Sequence, residues 1–231
     1  DTSAWVAADF HVHTVESPDS SVTPSDRVNA LLAEGIDLAV VTDHDRVTDL
    51  GPVLRGLGIT DRLVTSSGAE IASAAGGYGR FGAYPLPGTA GAPEDAAPVY
   101  FGKLPAAMFA DARRLGARVI QVNHARAKSG IGYFDLVHLD PKTGRASGEF
   151  SPDFDALEVF DGLSLEQRDD VRQGVVDLIG LARRGKRIAA VGDSGTHDLF
   201  YGAGYPRTYV HAPREPAATR LERVTRALLG A

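Results

Sequence analysis

Short apolar segments alternate with amphipathic helical segments along most of this chain of 231 residues. The apolar segments have the length of buried strands, and such alternation is typical of parallel strands joined by helices. Strands are predicted from residue 5 into residues 8–14 and at 38–41, 63–66, 99–101, 118–122, 156–160, 187–191 and 208–210. Helices are predicted at 24–34, 50–57, 104–115, 166–184 and 217–229. Two α/β architectures fit this order, a closed or distorted βα barrel and an open doubly wound sheet, and each gathers strand ends at one site.

The length of the chain suits one domain spanning residues 1–231. Two irregular insertions interrupt the alternation, at about 72–98 and 125–153. The first is rich in Ala, Gly and Pro. It is interpreted either as a lid or hairpin, because loops of this length are uncommon without a role, or as a disordered surface insertion.

The composition excludes several classes of function. There is no cysteine, so disulfides and thiolate sites are excluded and any metal must bind nitrogen or oxygen. The net charge is -6 and no run of Lys or Arg occurs, so neither nucleic acid nor a membrane surface is an expected partner. No apolar segment approaches 18 residues, which predicts a soluble protein, either cytoplasmic or secreted after removal of an upstream segment. The oligomeric state stays open.

His11 and His13 form an H-x-H pair at the end of the first predicted strand. Residues i and i+2 of a strand point to the same face, so the two imidazoles lie side by side. Such a pair can chelate Zn²⁺, Mn²⁺ or Fe²⁺. Two surface histidines on a half-exposed strand would give the same pattern.

Five predicted strand ends carry His, Asp or Glu, and this repetition favours a shared site. Taken singly, each residue has an ordinary structural explanation, such as a helix cap or a salt bridge. If the strand ends converge, they offer more ligands than one catalytic ion needs, and a bridging Glu70 between two or three ions would use them. The candidate ligands at these strand ends are His11, His13, His44, Glu70, His124 and His197.

The motifs at these strand ends resemble those of the PHP (polymerase and histidinol phosphatase) metallohydrolases. They are H-x-H at 11–13, T-D-H-D at 42–45, Glu70, N-H at 123–124 and G-x-x-x-T-H at 192–197. Three stretches look similar to the carbaryl-hydrolase-like branch of that superfamily, at residues 40–44, 122–126 and 204–209. The resemblance covers almost the whole chain.

The resemblance implies a distorted (βα)7 barrel with two or three Zn, Mn or Fe ions at the C-terminal ends of its strands. His11 and His13 would hold the first ion, with Glu70 as the bridge. His44, His124 and His197 would serve the others, and Asp19 stands where many relatives carry a further ligand.

The sequence departs from the family pattern at the last motif. The family usually ends in S-D-x-H, with a metal-binding Asp two residues before the His, whereas this chain has Gly195 at that position. The nearest acid is Asp193. Either Asp193 reaches in as a ligand along a rearranged loop, or one ion is lost or held loosely.

The implied activity is hydrolysis of a small-molecule ester by a metal-activated water. A phosphoester is favoured by the superfamily, and a carboxylic or carbamic ester by the carbaryl-hydrolase-like stretches. A metal-binding domain with reduced or lost catalysis is a third alternative. Asp43 is predicted to orient a ligand or accept the proton, or else to pair with Arg46. Arg126 is predicted to hold a phosphate or carboxylate, or else to be a solvated loop residue.

Overall fold

The computed structural model describes residues 4–72, 77–87, 97–127, 130–162, 168–200, 202–212 and residue 222. These residues contain nine strands and five helices. The strands are β1 (Trp5–Val12), β2 (Leu38–Val41), β3 (Val64–Ser67), β4 (Ala69–Ala72), β5 (Arg80–Tyr84), β6 (Val119–Asn123), β7 (Ala156–Asp161), β8 (Ala189–Asp193) and β9 (Thr208–His211). The helices are α1 (Pro24–Ala33), α2 (Gly51–Leu57), α3 (Pro105–Arg114), α4 (Tyr133–Leu136) and α5 (Arg168–Arg183). No helix within these ranges has both the length and the apolar character needed to cross a membrane.

The strands form two mixed sheets. The first has the order β3-β2-β1-β9, in which β9 runs antiparallel to β1 and the other neighbours are parallel. The second has the order β4-β5-β6-β7-β8, in which β5 runs antiparallel to both β4 and β6. The pairs β6–β7 and β7–β8 are parallel. Two isolated bridges, Val12–Thr196 and His44–Glu70, join residues of one sheet to residues beside the other.

The predicted (βα)7 barrel is wrong. Such a barrel needs parallel strands throughout, each followed by a helix. Here Gly68 alone separates β3 from β4, β4 and β5 form an antiparallel hairpin, and β9 is also antiparallel to its neighbour. Among the described residues, isolated bridges rather than a continuous ladder connect the two sheets, so no closed barrel forms. Strands β4 and β5 were not predicted from the sequence because both are short and contain Ala or Gly, which are depleted in strands.

Helix α1 shows how local sequence signals place the first sheet. The Thr23 side chain accepts a hydrogen bond from the backbone N–H of Asp26, and Pro24 occupies the first turn. Val28 and Leu31 are fully buried in a hydrophobic cluster that includes residues of β1 and β2. The helix predicted at 24–34 is confirmed, and its packing fixes the strands that lead to the H-x-H pair.

A larger hydrophobic cluster supports the second sheet. Phe81 of β5 packs edge-on against Phe109 of α3 and against Tyr133 of α4, with ring centroids 4.8 Å and 5.0 Å apart. Ile120 and Val122 of β6 are fully buried in the same cluster. This packing holds the hairpin β4–β5 and strand β6, which carry several of the candidate ligands.

Three other sequence predictions have different outcomes. The strand predicted at 99–101 is wrong, because residues 99 and 100 are irregular and residue 101 lies in a turn. The helix predicted at 217–229 lies outside the described residues apart from residue 222. Within the predicted insertion at 72–98, residues 80–84 form β5, whereas 73–76 and 88–96 lie outside the described residues.

Candidate metal centre

The histidines and Glu70 from five separate strand regions lie together. His11 and His13 come from the carboxyl end of β1, and His44 follows β2 by three residues. His124 directly follows β6, and His197 follows β8. Glu70 lies in β4, where its backbone forms the isolated bridge to His44. The predicted convergence of these six residues is therefore seen in the structure.

Glu70 lies at the middle of this cluster and is completely buried. Its Oε1 accepts a hydrogen bond from the side-chain amide of Asn123 at 2.9 Å. Four imidazole nitrogens surround the carboxylate: His11 Nε2 at 3.3 Å, His13 Nε2 at 3.6 Å, His44 Nδ1 at 3.0 Å and His124 Nε2 at 3.5 Å. We call Glu70, His11, His13 and His124 the inner set.

In four of the histidines, Nδ1 has a partner that can accept its proton. The Nδ1 contacts are His11 with Glu158 Oε1 at 2.8 Å, His13 with Ser17 Oγ at 2.9 Å, His124 with Asp161 Oδ2 at 3.0 Å and His197 with the Gly195 carbonyl at 2.8 Å. Carboxylate and carbonyl oxygens only accept, so Nδ1 carries the proton in those three pairs. The Nε2 lone pairs of these histidines therefore remain available to a ligand.

Ser17 fixes the tautomer of His13 in the same direction. The Ser17 hydroxyl donates its single proton to Asp43 Oδ1 at 2.9 Å. Ser17 Oγ also accepts the backbone N–H of His44 at 3.0 Å, and it accepts the Nδ1 proton of His13. Because the hydroxyl has no second proton to offer, His13 must be the donor. Its Nε2 lone pair then faces Glu70.

Buried polar atoms without hydrogen-bond partners concentrate in this cluster. Among the described residues, four of the five such atoms are His11 Nε2, His13 Nε2, His44 Nδ1 and Glu70 Oε2. Buried polar groups are almost always paired, and an imidazole nitrogen is repelled by a facing carboxylate unless a proton or a metal ion lies between them. The donor set of imidazoles and carboxylates therefore fits a divalent metal ion. Three groups of residues have ligand atoms close enough together to bind a single ion: His13–His44–His197, His11–His13–Glu70 and His11–His124–Glu158.

Glu158 is better placed to orient the histidines than to bind the same ion. Its Oε1 contacts the Nδ1 of His11, and its Oε2 lies 3.3 Å from the Nδ1 of His124 and accepts the His124 backbone N–H. The Nε2 atoms of both histidines point away from Glu158 toward Glu70. An ion in front of both rings would therefore lie on the Glu70 side, with Glu158 behind them.

Asp19, His44 and His197 form a second, more exposed group, which we call the mouth set. His44 Nε2 and His197 Nε2 are 3.4 Å apart, and the Asp19 carboxylate lies 3.2 Å from the first and 3.4 Å from the second. Two nitrogens bound at about 2.1 Å to one tetrahedral ion lie about 3.4 Å apart. The three side chains thus have the mutual spacing of ligands to one ion.

The charges of the centre shift its pKa values in opposite directions. Burial alone would raise the pKa of Glu70, but the charge of His11 and the close contacts with His11, His124 and His44 hold it well below its usual range. Burial opposes protonation of His124, yet Asp161 and Glu158 raise its pKa to about 10. Burial and the charge of His11 lower the pKa of His13 well below its usual range. Without a metal, the centre therefore holds protons that a bound ion would replace.

Asp43 is buried beside the centre, and its oxygens are occupied by hydrogen-bond donors. It accepts from the Thr14 backbone and hydroxyl at 2.6 Å and 2.7 Å, from Ser17 at 2.9 Å and from Thr48 at 2.5 Å. Arg46, the alternative partner predicted for it, instead pairs with Glu16 at 2.7 Å. These contacts suit a residue that orients His13 through Ser17.

Arg126 does not reach the inner set. Its guanidinium forms a double contact with Asp177, both distances being 2.8 Å, and donates to Asp135 at 2.7 Å and to the Leu139 carbonyl at 2.8 Å. It lines a cavity of about 260 Å³ that opens beside His124. The predicted role of Arg126 in holding an anion would require it to exchange these partners.

Asp193 also lies away from the three possible ligand groups. Its carboxylate accepts hydrogen bonds from the Phe10 backbone at 2.9 Å and from the Gln121 side chain at 2.9 Å. Gly195 has a φ of +54°, and a side chain there would collide with Asp161 Oδ1. The acid beside the glycine is therefore Asp161, from the end of β7.

Sequence reasoning missed Glu158 and Asp161, and it did not place Arg80 beside His44. Asp161 ends a strand that the sequence did predict, so the rule of polar residues at strand ends was sufficient to find it. Glu158 lies inside that strand and carried no such signal. Arg80 Nη1 lies 3.1 Å from His44 Nε2, and only the unpredicted strand β5 brings it there.

Comparisons with known proteins bear on the fold. No family model and no curated protein matches the chain. A solved structure from Bifidobacterium adolescentis matches with a TM-score of 0.50 and 18% sequence identity, over 85% of this chain and 90% of the other. Its description as a metal-dependent phosphoesterase is itself an inference. At this identity the likeness shows a shared fold, and it gives no support to the narrower resemblance to the carbaryl-hydrolase-like branch.

Proposed function

We propose that this protein is a metal-dependent phosphoesterase whose ions are held by the inner set and the mouth set. The observation that carries the proposal is the convergence of the His11, His13 and His124 Nε2 atoms on Glu70, with the Nδ1 atoms held from behind. Buried imidazole nitrogens that converge on a carboxylate without hydrogen-bond partners are unusual in a purely structural cluster. The description of the B. adolescentis protein as a phosphoesterase supports the same reaction.

A divalent ion supplies two kinds of chemistry in such a site, because it lowers the pKa of water and stabilises negative charge on a phosphoryl oxygen. The residues of this chain have supporting roles. Glu158, Asp161 and Ser17 hold the histidine tautomers, so the ligands are ordered before binding. Asp43 holds Ser17 in place. The burial of Glu70 and His11 keeps bulk water from the inner set.

A neutral carboxylic or carbamic ester is a second candidate substrate, favoured by the cavity beside His124. The carboxylates of Glu158, Asp161 and Asp170 line this cavity together with apolar side chains such as Ile131 and Val171. Arg126, which also lines it, is already paired with Asp177 and Asp135. A lining of this kind repels an anionic phosphate more than a neutral ester.

The test combines metal content with hydrolysis for the wild type, His11→Ala and the control variant His211→Ala. His211 is exposed at the far end of the sheet, where it packs against Trp5. The wild type and the control should contain a transition metal and hydrolyse 4-nitrophenyl phosphate in a chelator-sensitive reaction. His11→Ala should lose both properties.

Turnover of 4-nitrophenyl acetate alone would favour the neutral ester. Metal without turnover would favour a binding domain, and no bound metal after reconstitution with Zn²⁺, Mn²⁺ or Fe²⁺ would refute the metal centre.

A further inference from the structure

A guanidinium group lies at the mouth of the candidate metal centre. Arg80 is the first residue of β5, and its backbone pairs with Ala72 of β4 and Asn123 of β6. Its Nη1 lies 3.1 Å from His44 Nε2 and 3.7 Å from Glu70 Oε2. The side chain is 27% exposed, so the guanidinium connects the centre with solvent.

The contact between Arg80 and His44 determines where the His44 lone pair points. A guanidinium has only donors, so the 3.1 Å contact is attractive only if His44 Nε2 carries its lone pair. The proton then resides on Nδ1, which lies 3.0 Å from Glu70 Oε2. An imidazole nitrogen has one lone pair, and it cannot bind a metal ion and accept a hydrogen bond from Arg80 at once.

The mouth set needs a cation of some kind. Asp19 Oδ2 lies 3.2 Å from His44 Nε2, and with the lone pair on that nitrogen two acceptors face each other. The neighbouring His197 Nε2 also presents a lone pair, because its Nδ1 donates to the Gly195 carbonyl. A metal ion would satisfy all three groups, and in this structure the guanidinium of Arg80 provides positive charge at the same place.

We propose that Arg80 is a cation built into the mouth of the centre and that it competes with a divalent ion for the Nε2 lone pair of His44. An ion enters the mouth set only when the guanidinium moves toward solvent. His11 and His13 are not subject to this competition, since their Nε2 atoms have no hydrogen-bond partner. Arg80 reaches the inner set only through its 3.7 Å contact with Glu70 Oε2.

This inference rests on the proposed metal centre, and it is tested by binding rather than by activity. Metal-free protein is titrated with Zn²⁺ by isothermal calorimetry, with a competing chelator to resolve the tight constant. The variants are Arg80→Met, which keeps the length without the charge, and Arg80→Gln, which serves if the first does not fold. Arg46→Met is the matched control. It also removes a charged arginine, one that pairs with Glu16 rather than with His44 or Glu70.

Loss of the guanidinium should tighten the weaker Zn²⁺ constant at least tenfold in both Arg80 variants. The tight constant should change by a smaller factor, through the contact of Arg80 with Glu70 Oε2. Arg46→Met should change neither constant. Adding His197→Ala to Arg80→Met should remove the gain, which would assign it to the mouth set. If Zn²⁺ binds the wild type and both Arg80 variants with the same constants and number of ions, the competition is refuted while the metal centre stands. If none of the proteins binds Zn²⁺, the proposed function fails as well.

Discussion

The inner set and the mouth set use the same types of side chain but differ in how firmly those side chains are held. His11, His13 and Glu70 are fully buried, and His11 is held by a carboxylate behind the ring. In the mouth set, Asp19 is 50% exposed and His197 is 27% exposed. The difference indicates that the inner ligands are ordered before binding, whereas the mouth ligands can rearrange around an ion or around Arg80.

The difference also has an electrostatic side. The inner set combines one buried carboxylate with three imidazoles, and a proton or a metal ion is needed between the facing nitrogens and the carboxylate. In the mouth set, solvent and salt screen the exposed charges, and Arg80 or a metal ion can supply positive charge beside them. We therefore expect strong and nearly irreplaceable binding at the inner set, and weaker, exchangeable binding at the mouth.

The largest effect is expected at the shared carboxylate. Glu70→Gln removes the negative charge that four imidazole nitrogens face, so binding at the inner set should be lost. Metal content by mass spectrometry should fall to near zero. The hydrolysis rate should drop by more than the roughly 100-fold typical of losing an outer-shell partner. Glu149→Gln, at an exposed position, is the control. Full metal content in Glu70→Gln would show that Glu70 is no ligand.

The second effect concerns the pH dependence of the metal-free protein. The folded-state pKa of His124 is raised to about 10 from an ordinary 6.5, so its protonated form stabilises the fold. That stabilisation is complete below pH 6.5 and is lost as the pH rises to about 10, an effect of a few kcal/mol at most. Urea unfolding of chelator-treated protein across this range should show the decline. Asp161→Asn should make the decline shallower, and a decline unchanged in that variant would mean that Asp161 does not raise the His124 pKa.

The third effect tests whether Glu158 acts from behind the histidines. Glu158→Gln keeps the size of the side chain but removes the charge that holds the protons on His11 and His124. The tighter Zn²⁺ constant should weaken about 10- to 100-fold without a change in the number of bound ions. Asp170→Asn provides the control, since that acid lines the same cavity. Loss of one full equivalent would instead make Glu158 a ligand.

The smallest effect is expected for Asp19→Asn, which alters a half-exposed member of the mouth set. Exposed charges contribute about 1 kcal/mol or less, so the weaker Zn²⁺ constant should change at most about fivefold. The tighter constant should not change in the same calorimetric titration. Equal weakening of both constants would show that the two sets are not separable.

The strand-end rule found the candidate ligands but not the residues that support them. His11, His13, His44, Glu70, His124 and His197 could be selected from the sequence because each lies at or near the end of an apolar segment. Glu158 could not, because it lies inside a strand and looks like one exposed acid among many. The position of Arg80 could not be predicted, because nothing in a Gly- and Tyr-rich stretch indicates a hairpin that folds back beside His44.

For the fold, too, the elements that depend on neighbouring residues were predictable, whereas the contacts between distant parts of the chain were not. Apolar periodicity and the capping signals of α1 predicted most helices and strands, because these depend on neighbours in the chain. The direction of strand pairing was not predictable in this way, and the antiparallel hairpin of β4 and β5 overturned the barrel.

The sequence by itself determined that the chain would form an α/β fold and that its metal ligands, if any, would be nitrogen and oxygen at strand ends. These properties follow from residue type and local periodicity. Only the tertiary structure decided that Glu70 lies among four imidazoles, that Asp161 fills the space beside Gly195, and that Arg80 contacts His44. Those contacts join residues from different strands, and burial in the folded state gives each of them its energetic weight.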